Sequence, residues 1–150
     1  MGGERENNKG KSSIGNQNSN HQNFFDAPHH LYFHFKIVGN LEAIKTIKEV
    51  CKNANLESLS FACTGIDDAV IETIIQSFIQ NENSSLKELN LSGNHFTDEG
   101  ISRLLNAIEQ KEKSKLQNLN LRGNPNVSEG VLNRAETIIQ KRKLSLINLS

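Results

Sequence analysis

The sequence has no surplus of charge of either sign: 17 Lys and Arg stand against 17 Asp and Glu in 150 residues. The chain as a whole therefore has no electrostatic drive toward nucleic acid or an anionic membrane surface. Cysteine is scarce. Cys51 and Cys63 lie 12 residues apart, outside any CxxC or Cys/His metal spacing, and are read as reduced thiols in or near the core, with a disulfide as the alternative. No apolar run approaches the ~20 residues of a membrane helix, and the polar N-terminus holds no signal-peptide apolar stretch. Met1-Gly2 opens a myristoylation pattern, but Glu6 stands where that pattern wants Ser or Thr. The Asn-x-Ser/Thr triplets at Asn83, Asn90, Asn126 and Asn148 are then accidents of an Asn- and Ser-rich chain. The expected location is cytoplasmic, with secretion lacking a cleavable signal as the alternative.

Catalytic and cofactor signatures are missing too. Ser92-Gly93-Asn94 and Arg122-Gly123-Asn124 are turns, not phosphate loops, and no nucleophile elbow or acid pair stands out. His29, His30 and His34 invite a metal. If 31–35 is a strand, however, His30 and His34 lie ~13 Å apart on one face, too far for one ion. Arg134 and Lys141–Lys143 form a basic cluster without the aromatic residues that nucleic-acid stacking uses. No cofactor, metal, nucleic acid, membrane or small-molecule substrate is expected.

What the chain does have is a repeat. Leu56-Glu57-Ser58-Leu59-Ser60-Phe61, Leu86-Lys87-Glu88-Leu89-Asn90-Leu91 and Leu116-Gln117-Asn118-Leu119-Asn120-Leu121 recur every 30 residues, and Leu146-Ile147-Asn148-Leu149 begins a fourth copy. A turn and an amphipathic helical stretch follow each full copy. The helical stripes are Ile71, Ile74, Ile75, Phe78 and Ile79, then Ile101, Leu104, Leu105 and Ile108, then Val131, Ala135, Ile138 and Ile139. Each opens after acidic residues, as a helix N-terminus favours. Arg134 replaces the leucine of position 104, so the third helix should be rotated or its stripe narrower. A fixed period of this kind specifies a solenoid, whose units bury their apolar sides only against one another.

The rest of the chain falls into two parts. Residues 1–23 are too polar to offset their ordering entropy and are expected to form a disordered tail. Residues 24–55 are the N-terminal cap, holding Phe24, Phe25, Tyr32, Phe33 and Phe35. A strand is expected over 31–35, with Leu31, Phe33 and Phe35 inward. A helix with Asn40 as its N-cap would then bury Leu41, Ile44, Ile47, Val50 and Cys51. Residues 56–150 make three repeats and a closing strand.

The repeat resembles that of the leucine-rich repeat family, L-x-x-L-x-L-x-x-N/C-x-L. Leu86, Leu89, Leu91, Asn94 and Phe96 fit throughout. The third copy supplies Leu116, Leu119, Leu121 and Asn124, and the first has Thr64 where the others have Asn. Asp98-Glu99-Gly100, echoed by Ser128-Glu129-Gly130, looks like the ribonuclease-inhibitor-like subclass. The resemblance implies an α/β fold: a short horseshoe with parallel strands on the concave face and helices on the convex one. It also implies a structural ladder of Thr64, Asn94 and Asn124. Five strands would then span roughly 19 Å.

Ligands of this family commonly sit on the concave face. The outward columns are Ser58, Glu88, Asn118 and Asn148, then Ser60, Asn90, Asn120 and Ser150. Equating Phe33 with Leu59 puts Tyr32 at the head of the first column and His34 at the head of the second. Lys87 and Gln117 lie on one margin and Arg122 on the other. The expected contacts are Tyr32, His34, Ser60, Lys87, Glu88, Asn90, Gln117, Asn118, Asn120 and Arg122. The functional reading is a non-enzymatic module presenting a polar strand face to a protein partner. A secreted bacterial effector using the same surface, a regulator of a small GTPase and a fragment of a longer repeat array are the alternatives.

Overall fold

In the computed structural model the described residues are 27–36 and 39–149, with side chains as far as Ser145. The expected tail over 1–23, together with Phe24 and Phe25, lies outside them. Four short strands, β1 (His30–Tyr32), β2 (Ser58–Ser60), β3 (Glu88–Asn90) and β4 (Asn118–Asn120), form one parallel sheet in chain order. Between them run α1 (Asn40–Val50), α2 (Ile71–Ile74) and α3 (Asp98–Gln110), and α4 (Glu129–Leu149) follows β4. α2 is entered by a 3-10 turn, Asp68–Val70, and continued by a π-helical stretch, Ile75–Ile79. Equivalent residues pair 30 apart: Leu59 with Leu89, and Leu89 with Leu119.

The strand leucines and the helix stripes close on each other as one core. Leu56, Leu59 and Phe61, then Leu86, Leu89 and Leu91, meet Ile71, Ile74, Ile101, Leu104 and Leu105, all buried. Each such side chain contributes ~1.5–3 kcal/mol on burial. The third repeat is thinner: Leu119, Val131 and Leu132 are only partly buried. Arg134 lies along the neighbouring helix, bonded to Asn106 Oδ1 at 2.6 Å and to Glu109 Oε1 at 2.8 Å. The narrower stripe follows from that replacement.

Several cap expectations need correction. The strand is His30–Tyr32 and its register pairs Leu31 with Leu59, so Phe33 is the counterpart of Phe61, and the two rings stack at 5.2 Å. Phe35 is 77% exposed because it lies in the turn at φ 60, the same position that Cys63 (φ 57), Gly93 (φ 69) and Gly123 (φ 74) occupy in the repeats. There a side chain points away from the core, which also puts Cys63 on the surface. Gly93 is required: a Cβ there would lie 2.6 Å from Cys63 Sγ. In α1 the N-cap is Gly39. Asn40 instead reaches the first repeat, donating to Asp67 Oδ1 (2.9 Å) and accepting from Asp67 N–H (3.0 Å). The buried stripe is Ala43, Ile47 and Val50, while Leu41 is 81% exposed.

The expected closing strand is absent, and with it the fifth strand: residues 146–149 continue α4. Before the second and third repeats a serine hydroxyl holds the helix-to-strand turn, with Leu86 N–H donating to Ser84 Oγ and Leu116 N–H to Ser114 Oγ; before the first, where the position is Ala54, Leu56 N–H donates to Asn53 O instead. Thirty residues past Ser114 the position is Leu144, which has no hydroxyl. Arg142 meanwhile donates to the carbonyls of Ile108, Glu109 and Glu112 at the end of α3. Ile108 O also accepts the Lys111 N–H at 3.2 Å and Glu112 lies just past α3, so Arg142 anchors α4 to the end of its neighbour, which favours keeping residue 142 in helix.

Candidate binding face

Side chains flanking each inward leucine project to the face opposite the helices. With the observed register the columns are His30, Ser58, Glu88, Asn118 and Tyr32, Ser60, Asn90, Asn120. His30 heads the first column and Tyr32 the second, one step from the expected placement. His34 falls outside both columns, in the turn. The shift traces to β1 ending at Tyr32. Its signal in the sequence was the equivalence of Phe33 with Phe61 rather than with Leu59.

The first column is tied to itself. Ser58 Oγ donates to Glu88 Oε1 at 2.8 Å, and Asn118 Nδ2 donates to Glu88 Oε2 at 3.4 Å. The second column is tied to its own turns. Asn90 Oδ1 accepts Ser92 N–H (2.9 Å), and Asn120 Oδ1 accepts Arg122 N–H (3.0 Å). Ser60 Oγ does the same for Ala62 N–H at 3.3 Å. An oxygen must receive each N–H, so the amide orientations are fixed and the Nδ2 groups of Asn90 and Asn120 face outward. Ser60, expected in the contact set, is 3% exposed beneath His34, which hydrogen-bonds its hydroxyl. Tyr32 is half exposed, its ring 5.9 Å from that of His34.

On the margin, Glu57 lies 3.7 Å from both His29 and Lys87. These pairs are partly exposed, so each contributes less than about 1 kcal/mol. Gln117 is half-buried, and Arg122 is exposed at the other margin. Among the described residues no cluster of three His, Cys, Asp or Glu could hold a metal ion, and no helix is long and apolar enough to cross a membrane.

Behind the face, buried polar groups lock the repeats together. Asn94 Nδ2 donates to the carbonyls of Phe61 (2.9 Å), Leu91 (3.1 Å) and Ser92 (3.1 Å), while its Oδ1 accepts Thr64 N–H (3.0 Å) and Ile66 N–H (3.3 Å). Asn124 repeats this with Leu91 O, Leu121 O and Phe96 N–H. Thr64 offers a single donor, to Phe61 O at 2.8 Å and more weakly to Asn94 Oδ1. These residues hold the turns, and their polar atoms face the backbone.

A second concavity opens beside β4. It encloses about 850 Å³ between β4 and α4, with Leu119, Asn120, Arg122, Leu132, Gln140 and Lys143 among its walls. The α4 side of this groove was not legible in the sequence, because the expected fifth strand would have filled it.

Parallel strands at a 30-residue period, helices on one side and an asparagine ladder at the turns define a leucine-rich-repeat solenoid. The family described as Leucine Rich repeat matches residues 82–105, the second repeat, through its sequence model. Among solved structures, leiomodin-1 actin-binding site 2 superposes with a TM-score of 0.62 at 16% identity, over 82% of this chain and 86% of that one. The tropomodulin C-terminal domain of Caenorhabditis elegans gives 0.56 at 18% identity, over 80% and 87%. At these identities the likeness is one of fold. No curated protein matched the sequence.

Proposed function

We propose that this chain is a non-enzymatic protein-interaction module whose strand face takes a protein partner. The observation that carries the reading is the outward column of Asn90 and Asn120. Their oxygens are spent on the turns, so each presents two amide donors, bordered by Tyr32, Lys87 and Arg122. That is a surface suited to recognising carbonyl and carboxylate groups of another chain rather than to activating a substrate. The printed description of the leiomodin-1 neighbour as an actin-binding site makes actin the first named protein to assay.

The test exchanges donors for acceptors without disturbing the turns. Asn90→Asp with Asn120→Asp retains Oδ1 for Ser92 N–H and Arg122 N–H but removes both outward amides. Affinity capture from the native cytosol, compared between wild type and this pair, should lose a specific protein from the variant. An identical set with both baits would place binding elsewhere and overturn the reading.

A further inference from the structure

The sheet stops at β4 although its ladder does not. At every internal junction one carbonyl accepts two N–H groups of the following strand: Glu57 O from Lys87 (2.8 Å) and Glu88 (3.0 Å), Lys87 O from Gln117 (2.8 Å) and Asn118 (3.0 Å). Two N–H groups donate the other way: Phe61 to Asn90 O (2.9 Å) and Cys63 to Ser92 O (3.0 Å), then Leu91 to Asn120 O (2.8 Å) and Gly93 to Arg122 O (2.8 Å). The corresponding atoms of the last repeat are Gln117 O, Leu121 N–H and Gly123 N–H. No following strand stands beside them among the described residues. The chain's own fourth copy of the motif is held in α4, where Leu144 replaces the turn serine and Arg142 caps α3.

We infer that the groove between β4 and α4 receives an extended segment of a partner protein, which pairs with β4 as a fifth strand. Continuity of the ladder gives the segment's pattern. The repeats of β2, β3 and β4 each place apolar side chains at the first, fourth and sixth positions, and the groove offers Leu119, Leu132 and Ile139 to receive them. Charge complements this on the β4 side. Neighbours one repeat apart stand side by side, so the residue after the sixth position falls beside Arg122, whose repeat equivalents are the uncharged Ala62 and Ser92. The residue at the fifth position falls beside the outward amide of Asn120. An acidic residue at either place meets donors of β4 itself. The remaining charges of the lining, Lys143, Glu129 and Glu136, all lie on α4, so the complementarity rests on Arg122 and Asn120. The occupant is therefore a leucine-patterned segment with acids at its C-terminal end. This inference rests on the interaction reading and deepens it by naming a segment and an edge; of the outward column it uses Asn120 and not Asn90.

The probe is a fluorescent peptide, LTNLDLE, titrated into the full chain by anisotropy. Saturable binding is expected. Arg122→Glu should weaken it about tenfold, and the peptide LTNLKLK should recover affinity on that variant. Proline in place of the asparagine, one of the two positions that donate to Gln117 O, should weaken binding about tenfold by removing a ladder donor. Unchanged affinity of the proline peptide or of Arg122→Glu would overturn edge pairing. So would a concentration-dependent dimer in sedimentation, which would give the groove to a second copy. Binding seen only after removal of residues 144–150 would give it to the chain's own end. The Asn90→Asp variant separates the two readings: it should leave peptide affinity unchanged while losing a concave-face partner.

Discussion

Asp68 and Thr97 belong to successive repeats, yet the Asp68 carboxylate accepts both the backbone N–H of Thr97, at 3.0 Å, and its hydroxyl. Thr97 is in turn the N-cap of α3, accepting Gly100 N–H at 3.4 Å. The start of one helix is thus fixed by an acid from the helix before it. Asp98 does the same one repeat on, accepting Ser128 N–H at 2.6 Å, and Ser128 Oγ accepts Val131 N–H. Gly100 is part of the arrangement, because a Cβ there would sit 2.1 Å from Asp68 Oδ1.

Gly100→Ala should therefore destabilise the fold by about 2–3 kcal/mol, through displacement of the carboxylate from Thr97. In an Asp68→Ala background the obstruction is gone, and the same change should be neutral or stabilising by up to ~1 kcal/mol from helix propensity. A double-mutant cycle by urea denaturation reads the difference. Equal costs in both backgrounds would show that Asp68 does not hold that helix start.

Asn94→Ala should be among the most costly polar substitutions in the chain. It strands the N–H groups of Thr64 and Ile66 inside the core, while the carbonyl of Phe61 keeps the Thr64 hydroxyl. A loss of ~3–5 kcal/mol is expected. Asn124→Ala strands one N–H, that of Phe96, and the carbonyl of Leu121, since Leu91 O keeps Asn94 Nδ2; it should cost less. Chemical denaturation of the two variants checks the order.

The repeat itself was legible because both of its periods are local. Leucines at the first, fourth and sixth positions fix the inward face of a strand, and the apolar stripes fix the helices. Asn94 and Asn124 were legible by resemblance as ladder residues, and their bonds are those of a ladder. The expected face was harder to read. Its membership depended on the cap register, and β1 lacks the L-x-x-L spacing that aligns the other strands. The covering of Ser60 by His34 arises from a turn at positive φ that a non-glycine residue, Phe35, gives no reason to expect. At Leu146–Leu149 the leucine pattern favours a strand, whereas Leu144 offers the preceding turn no hydroxyl and Arg142 is bonded to the end of α3. Periodicity records which face is apolar; the short polar contacts decide whether the chain turns at all.

Leu89→Asp and Leu119→Asp should differ, although the repeat makes them equivalent. Leu89 is buried between two strands, while Leu119 is partly open on the groove. A charge at 89 has no water to reach and should abolish cooperative unfolding. At 119 it can turn toward the groove, so a folded, weakened protein is expected. Thermal melts followed by circular dichroism distinguish the outcomes, and a folded Leu89→Asp variant would contradict the register.

Acid should release one surface contact between repeats. Lys111 hydrogen-bonds Glu82 and, with its charge and that of Lys113, holds the Glu82 carboxyl below the usual carboxylate range. A depressed folded-state pKa means the contact contributes above the unfolded value and is lost as pH falls through the folded one. The side chain is exposed, so the effect on stability is small and salt-sensitive. Lys111→Met should move the Glu82 titration upward in a carboxyl-detected NMR series. An unchanged titration would show that the pair does not form.

The length of α4 tests why the last strand is missing. Two local causes keep the helix going past Gln140: Leu144 in place of the turn serine, and Arg142 on the carbonyls at and just past the end of α3. Removing only one should do little, because the other still favours helix. Leu144→Ser alone restores a hydroxyl but leaves Arg142 attached, and Arg142→Ala alone leaves no turn to form. Together they should end α4 near Gln140 and return residues 146–149 to the 30-residue pattern. Amide exchange should then quicken over 141–145, and Gln117 O should gain donors along the β4 edge. The same double variant should lose the peptide from the groove, since its own segment would compete for the edge. If the helix persists in the double variant, its length is set by packing elsewhere along α4, and the turn serine is not what divides repeat from cap.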